Sequence, residues 1–271
     1  MLCVTAMMSL SSLPVLQVYA KQTITVTGSN SMTSLMEVLA ETYSKDTGNF
    51  VEVQGPGSSA GIRAANDNSA MIGMASREVS ANEINDNIQI TPMAHDAIAV
   101  IVHPSKAKML TNLTVEQLAG IYRHEIKNWQ EVSAAEGPIV PVTRDSASGT
   151  RAGFEGNLKL IRKINGIKVS AISPRVRVAN SNGAIKTMVA RNPNAIGYIS
   201  LGTVDNTVSA LAINDVEPSI ATVRNKMYPI SRKFNLLLST NVDKSAQEYL
   251  QWILSKPGQK IIADKGYVPV N

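Results

Sequence analysis

Three loops of one design constrain what this chain can fold into. Each follows an apolar, strand-like run, is built largely from Ser, Thr and Gly, and opens onto a helix-like run. They are Thr27-Gly28-Ser29-Asn30-Ser31-Met32, Gly55-Pro56-Gly57-Ser58-Ser59-Ala60-Gly61 and Arg144-Asp145-Ser146-Ala147-Ser148-Gly149-Thr150. A helix start presents backbone N–H groups without intrahelical partners and the positive end of a dipole, so it attracts anions. Small hydroxyl residues add donors without blocking the approach. One such loop is ordinary capping. Three point to convergence on one small anion, with Arg144 supplying a full positive charge and a planar, bidentate donor set.

The chain has 271 residues, enough for one large domain or two lobes with separate cores. Its net charge of +5 would suit acidic partners, but the basic residues are scattered, the densest group being Arg162-Lys163 with Lys168 nearby. Aromatic residues make up only 4% of the chain, so stacking surfaces for bases are scarce. A nucleic-acid partner is therefore not expected.

The first twenty residues contain no Asp, Glu, Lys or Arg and end Val18-Tyr19-Ala20, with small residues where a signal peptidase reads. Residues 1–20 are expected to be a secretory signal, although a basic leading region is missing, and the mature protein to be periplasmic or secreted. The apolar stretch is too short and too interrupted by Ser for a membrane span. Cys3 is the only cysteine, so no disulfide framework is expected. Met1-Leu2 cannot supply the small-residue box of a lipoprotein.

From Lys21 onward strands and helices alternate, which predicts an α/β fold with mainly parallel sheets. Expected strands include Thr23 to Val26, Phe50 to Val53, Met71 to Ala75, Ile98 to Val102, Ile139 to Val142, Ala195 to Ser200 and Phe234 to Leu238. Expected helices include a run from Ser31 closed by Gly48, Ala60 to Asn66, Leu113 to Tyr122, Gly153 to Ile164, Ser181 to Ala190, and Ala246 to Leu254 stopped near Pro257-Gly258. The pattern restarts near residue 96 with no flexible linker, which favours two lobes joined by crossing strands. The expected division is residues 21–96 plus 213–271 for lobe I and 97–212 for lobe II. The loops lie beyond the carboxyl ends of strands, where open α/β sheets bind ligands.

Taken in order, several segments resemble the phosphate-binding proteins of ABC importers, which have the two-lobed type II periplasmic-binding fold. They are Gly28-Ser29-Asn30-Ser31-Met32, Gly57-Ser58-Ser59-Ala60-Gly61-Ile62, Ile72-Gly73-Met74-Ala75-Ser76-Arg77-Glu78, Asp96-Ala97-Ile98-Ala99-Val100-Ile101-Val102, the Arg144 loop, Asn194-Ala195-Ile196-Gly197-Tyr198 and Tyr228-Pro229-Ile230-Ser231-Arg232. The resemblance spans nearly all of residues 21–271. It implies capture of inorganic phosphate in an interlobe cleft, delivery to membrane ABC permease subunits, a monomer, and no cofactor, metal or catalytic residue. It implies a site of Ser29, Ser31, Met32 (through its backbone N–H), Ser59, Ser76, Arg77, Glu78, Arg144, Ser148, Gly149 and Thr150.

Two positions depart from the family pattern. Some members carry Asp two residues after the loop Arg; here that residue is Ser146, with Asp145 adjacent. Some carry Asp after the Ala-Ser of the third segment, where it accepts the proton of phosphate; here Arg77 and then Glu78 follow. Glu78, Asp96 and Asp145 are the acidic candidates for that role, Glu78 first. A carboxylate facing the ligand would pass protonated phosphate and repel sulfate.

Two other readings stay open. A receptor for sulfate, molybdate or tungstate would use the same loops. A serine hydrolase would use Ser59, because Gly57-Ser58-Ser59-Ala60-Gly61 fits the nucleophile-elbow pattern. That fold needs a late His, and the only histidines are His95, His103 and His124. No P-loop, dinucleotide or zinc spacing is present.

Overall fold

The computed structural model describes residues 23–270, so the expected signal segment and Cys3 lie outside the described residues. The elements that position the site are β1 (Thr23–Gly28), α1 (Asn30–Thr47), β2 (Phe50–Gln54), α2 (Ser58–Asn66), β3 (Ile72–Ala75), β4 (Ile88–Val102), β5 (Val140–Arg144), α3 (Gly149–Asn157), β6 (Arg177–Ala179), α4 (Asn182–Ala190), β7 (Ala195–Ser200) and β8 (Ser231–Ser239).

The parallel sheets expected of the two lobes are joined edge to edge into one mixed sheet in the order β2-β1-β3-β8-β4-β7-β5-β6. The outer triplets are parallel, β2-β1-β3 on one side and β7-β5-β6 on the other. Between them β8 and β4 run antiparallel to their neighbours. β4 is long enough to belong to both lobes: Ile88–Ala97 pairs with β8, and Ile98–Val102 pairs with β7. The run from Ala97 to Val102 is buried on both faces, which explains its unbroken apolar sequence.

Packing groups part of the 213–271 segment with the second core. Ile213, Val223, Tyr228 and Ile230 join the cluster around Ile98, Leu118 and Phe154, not the one around Ile24, Leu39 and Leu236. The Tyr228 hydroxyl donates to the Ile98 carbonyl at 3.1 Å. Residues 213–230 therefore complete lobe II, and the chain returns to lobe I at about Ser231. The reason is composition: the 213–230 segment carries enough apolar residues to seal the lobe II core.

Two local expectations change as well. The Gly153 to Ile164 run divides into α3, which starts earlier at Gly149, and a hairpin of Ile161–Ile164 with Ile167–Ser170. Its turn residues, Asn165 and Gly166, both have positive φ, as a tight hairpin turn requires. Pro257 does not end the helical region: it sits in the first turn of a further helix, Lys256–Asp264, where a missing N–H costs nothing.

One close approach fixes the first two loops. A Cβ on Gly61 would lie 2.8 Å from the Gly28 Cα and from the Thr27 carbonyl oxygen. Only glycine lets α2 pack this tightly on β1, and that contact holds the starts of α1 and α2 side by side.

Candidate functional site

Four helix starts meet at the junction of the lobes: α1 and α2 from lobe I, α3 and α4 from lobe II. The fourth, α4, is expected from the sequence only as a helix from Ser181 to Ala190. In the structure Ser181 is its N-cap, the side chain accepting from the Ala184 N–H, which leaves the next residue, Asn182, to face the junction.

Hydroxyls from both lobes touch here. Ser31 Oγ lies 2.7 Å from Thr150 Oγ1, and Asn182 Nδ2 donates to Ser31 Oγ at 2.9 Å. The Asn182 backbone N–H donates to Asn30 Oδ1, and the Ser59 N–H donates to the Ala147 carbonyl. Each of these contacts joins lobe I to lobe II.

Arg144 ends β5 and is 2% exposed. Its Nη1 donates to Asn182 Oδ1 at 3.2 Å and its Nη2 to the Asn180 carbonyl at 3.0 Å, while Asp145 Oδ2 stands 3.7 Å away. Its Nε is buried with no hydrogen-bond partner. Burial lowers the guanidinium pKa, and the Asp145 charge partly restores it; the group remains a cation. A buried, incompletely paired cation is costly, so it favours an incoming anion.

On the lobe I side, Ser29 Oγ donates to Ser76 Oγ at 2.7 Å, and Arg232 Nη1 donates to the same oxygen at 3.3 Å. The Ser76 N–H donates to Ser58 Oγ at 3.1 Å. With two donors already on Ser76 Oγ, its own proton can go to Ser58 Oγ at 3.4 Å or to an incoming acceptor. Arg232 is anchored in turn by Asp96, whose Oδ2 accepts from Nε at 3.1 Å and from Nη2 at 2.8 Å. Asp96 Oδ1 accepts the Leu201 N–H of lobe II. Burial raises the Asp96 carboxyl pKa, while Arg232 and the Leu201 amide pull it back.

Ser29, Ser31, Ser76, Arg144, Gly149 and Thr150 thus come together. The Met32 N–H already donates to the Ser29 carbonyl at 3.0 Å. Ser148 is the N-cap of α3 and accepts from the Arg151 N–H. Ser59 reaches across the cleft through its backbone, whereas the neighbouring Ser58 places its hydroxyl in the cluster. Arg77 and Glu78 make their contacts elsewhere. Arg77 forms a bidentate pair with Glu83 at 2.9 and 2.7 Å. The Glu78 side chain is 78% exposed and pairs with Lys233.

Sequence reasoning missed Ser58, Asn180, Asn182 and Arg232, and weighed Asp96 only as a ligand carboxylate. For Asn182 a signal existed, the Ser181-Asn182-Gly183 helix start. For the Asp96–Arg232 pair the only cue would have been strand register, since the two residues stand opposite each other in the β4–β8 ladder.

At Gly149 the lobes approach closely enough that a side chain would not fit. A Cβ there would clash with the Ser58 hydroxyl and lie 2.6 Å from Ser76 Oγ. Gly149→Ala should therefore weaken oxyanion binding about tenfold by wedging the cleft, the penalty of overpacking. Alanine suits a helix, so the unfolding midpoint of the ligand-free protein should hold. Calorimetry beside thermal unfolding checks both halves.

A model of the PBP superfamily domain matches residues 19–257. The phosphate-binding protein PstS of Borreliella burgdorferi is 29% identical over 255 residues, covering 91% of this chain and 90% of its own. The crystal structure of an ABC-type phosphate transport receptor from Vibrio cholerae superposes with a TM-score of 0.75 at 35% identity, covering 90% of this chain and 99% of that one. A substrate-binding protein assigned to phosphate ABC transport in Clostridium perfringens, solved with bound phosphate, superposes with a TM-score of 0.84 at 34% identity, covering 92% and 100%.

Proposed function

The chain belongs to the PBP superfamily, and we propose that it is an exported receptor that captures inorganic phosphate between its lobes and hands it to an ABC permease. The observation that carries this reading is Arg144, buried with an unpartnered Nε where four helix starts and the hydroxyls of both lobes converge. Its guanidinium can pair with two oxygens of a tetrahedral anion. Ser31, Ser58, Ser76, Thr150 and the Asn182 amide surround the same space, with the first-turn amides of α3 behind them.

Ligand recognition and closure are one event in this arrangement. The ligand contacts groups from both lobes, so it binds the closed form better than the open one and shifts the population towards it. Micromolar affinity requires about 8 kcal/mol net. A few charge-assisted hydrogen bonds at roughly 1.5–3 kcal/mol each supply that after entropic losses. Ser29, Met32, Ser59 and Ser148 support the site by shaping the loops. Arg77 and Glu78 act outside it, Arg77 in a part-buried pair with Glu83 and Glu78 in a surface pair with Lys233.

Binding without turnover is the reading we favour, and the histidines support it. His95 lies in the β4–β8 ladder opposite Lys233, His103 caps the following helical turn, and His124 closes the Val115–Arg123 helix. None is placed as a base for Ser59. Calorimetric titration with phosphate and with sulfate, beside an ester-hydrolysis assay, tests the proposal. Tight phosphate binding, weaker sulfate binding and no turnover are expected. Turnover abolished by Ser59→Ala, in a protein without phosphate affinity, would refute the receptor reading. Equal affinity for sulfate would refute phosphate as the specific ligand.

A further inference from the structure

The hairpin of Ile161–Ile164 and Ile167–Ser170 has no part in the cleft, and its composition is unlike the rest of the chain. Both strands of its outer half are exposed, Ile164 being 48% and Ile167 67% accessible, and Ile161 at the base is 45% accessible. The register pairs Ile164 with Ile167, Lys163 with Lys168, Arg162 with Val169 and Ile161 with Ser170. Two isoleucines therefore flank the Asn165-Gly166 turn at the very tip. Two lysines face each other one rung behind, and an arginine follows.

That lysine pair works against the hairpin. Like charges directly opposite each other in a ladder destabilise it, and a two-stranded hairpin is marginal to begin with. The base is held by the body: Ala171 N–H donates to the Leu160 carbonyl, and Ser170 Oγ donates to Glu155. No local acid relieves the tip. From residue 156 to 204 there are eight lysines and arginines and no aspartate or glutamate. That exceeds the net charge of the whole chain, so the remainder is net acidic.

We propose that this hairpin docks the protein onto an anionic phospholipid surface. An apolar tip with cations one rung behind matches the order of a bilayer interface, where the acyl boundary lies just beneath the phosphates. A protein groove would have no reason to require that order. Each cation near an anionic leaflet strengthens partition by about fivefold and loses that effect beyond a Debye length. The lysine pair that burdens the free hairpin is relieved when phosphates approach it.

Flotation of the intact protein with vesicles of phosphatidylcholine, or of equal parts phosphatidylcholine and phosphatidylglycerol, tests this. Binding to the mixed vesicles should exceed binding to phosphatidylcholine by at least about tenfold, and should fall steeply at about 1 M salt, where screening reaches ~3 Å. Lys163→Glu with Lys168→Glu should remove most of it. Ile164→Ser with Ile167→Ser should weaken it several-fold, and both variants should keep the wild-type circular dichroism and phosphate affinity. Equal binding to both vesicle types, or no effect of charge reversal, would overturn the proposal. So would capture by soluble polyglutamate with none by the mixed vesicles, which would assign the hairpin to an acidic protein surface instead.

Discussion

Replacing Arg144 with alanine should weaken phosphate binding about 100-fold. The guanidinium is 2% exposed, and its Nε has no protein partner. That donor is therefore free for an anion, and a charge-assisted hydrogen bond contributes roughly 1.5–3 kcal/mol. Two lost bonds at the low end of that range already amount to about 3 kcal/mol, or two decades in the dissociation constant. Arg144→Lys keeps the charge but loses the planar fork, so it should fall between, at about tenfold. Asn182 and Asn180 accept from the same guanidinium, and alanine also frees them to shift the start of α4. Calorimetry measures the affinity directly. Thermal unfolding gives an independent reading, because phosphate at about 100 times the wild-type dissociation constant should stabilise wild type by about 2.7 kcal/mol and Arg144→Ala by only about 0.4 kcal/mol. An unchanged dissociation constant would remove Arg144 from the site.

The second large effect concerns stability. Asp96 is 1% exposed and is the carboxylate that compensates the buried Arg232 guanidinium. Breaking a buried pair from one side leaves an uncompensated charge and costs about 3–5 kcal/mol. Asp96→Asn should accordingly lower the unfolding midpoint by about 10 °C, given roughly 2–4 °C per kcal/mol for a chain of this size. Replacing both members, Asp96→Asn with Arg232→Met, should recover more than half of that loss, because no stranded charge remains. Thermal and denaturant unfolding of the two singles and the double decide it. A double variant as unstable as the sum of its singles would show that the pair is not coupled. The double variant should still bind phosphate several-fold more weakly than wild type, since Arg232 also holds Ser76.

Much of the site was legible because its parts are local. A Ser- and Gly-rich loop between an apolar run and a helical run declares itself within about seven residues, and Ser31, Arg144, Gly149 and Thr150 all lie in such loops. What was missed depends on direction or on distance. Ser58 and Ser59 are equivalent as letters; only the phase of α2, which begins at Ser58, decides which hydroxyl turns inward. Arg77 looked available until the fold brought Glu83 to it across a short loop. Asp96 and Arg232 are 136 residues apart and meet only because β4 and β8 share a register. The packing of residues 213–230 is hidden for a similar reason: strand-and-helix alternation locates elements but does not say which core an apolar segment joins.

The continuity of β4 has a thermodynamic consequence. Residues of this one strand enter all four hydrophobic clusters: Met93 and Ala94 in one, Ile98 and Val100 in another, Ala99 and Ile101 in a third, and Ile88 in the fourth. Neither lobe can melt without withdrawing a strand from its neighbour. The molecule therefore has two halves for recognition but a single cooperative unit for unfolding, and damage to either half is felt by both.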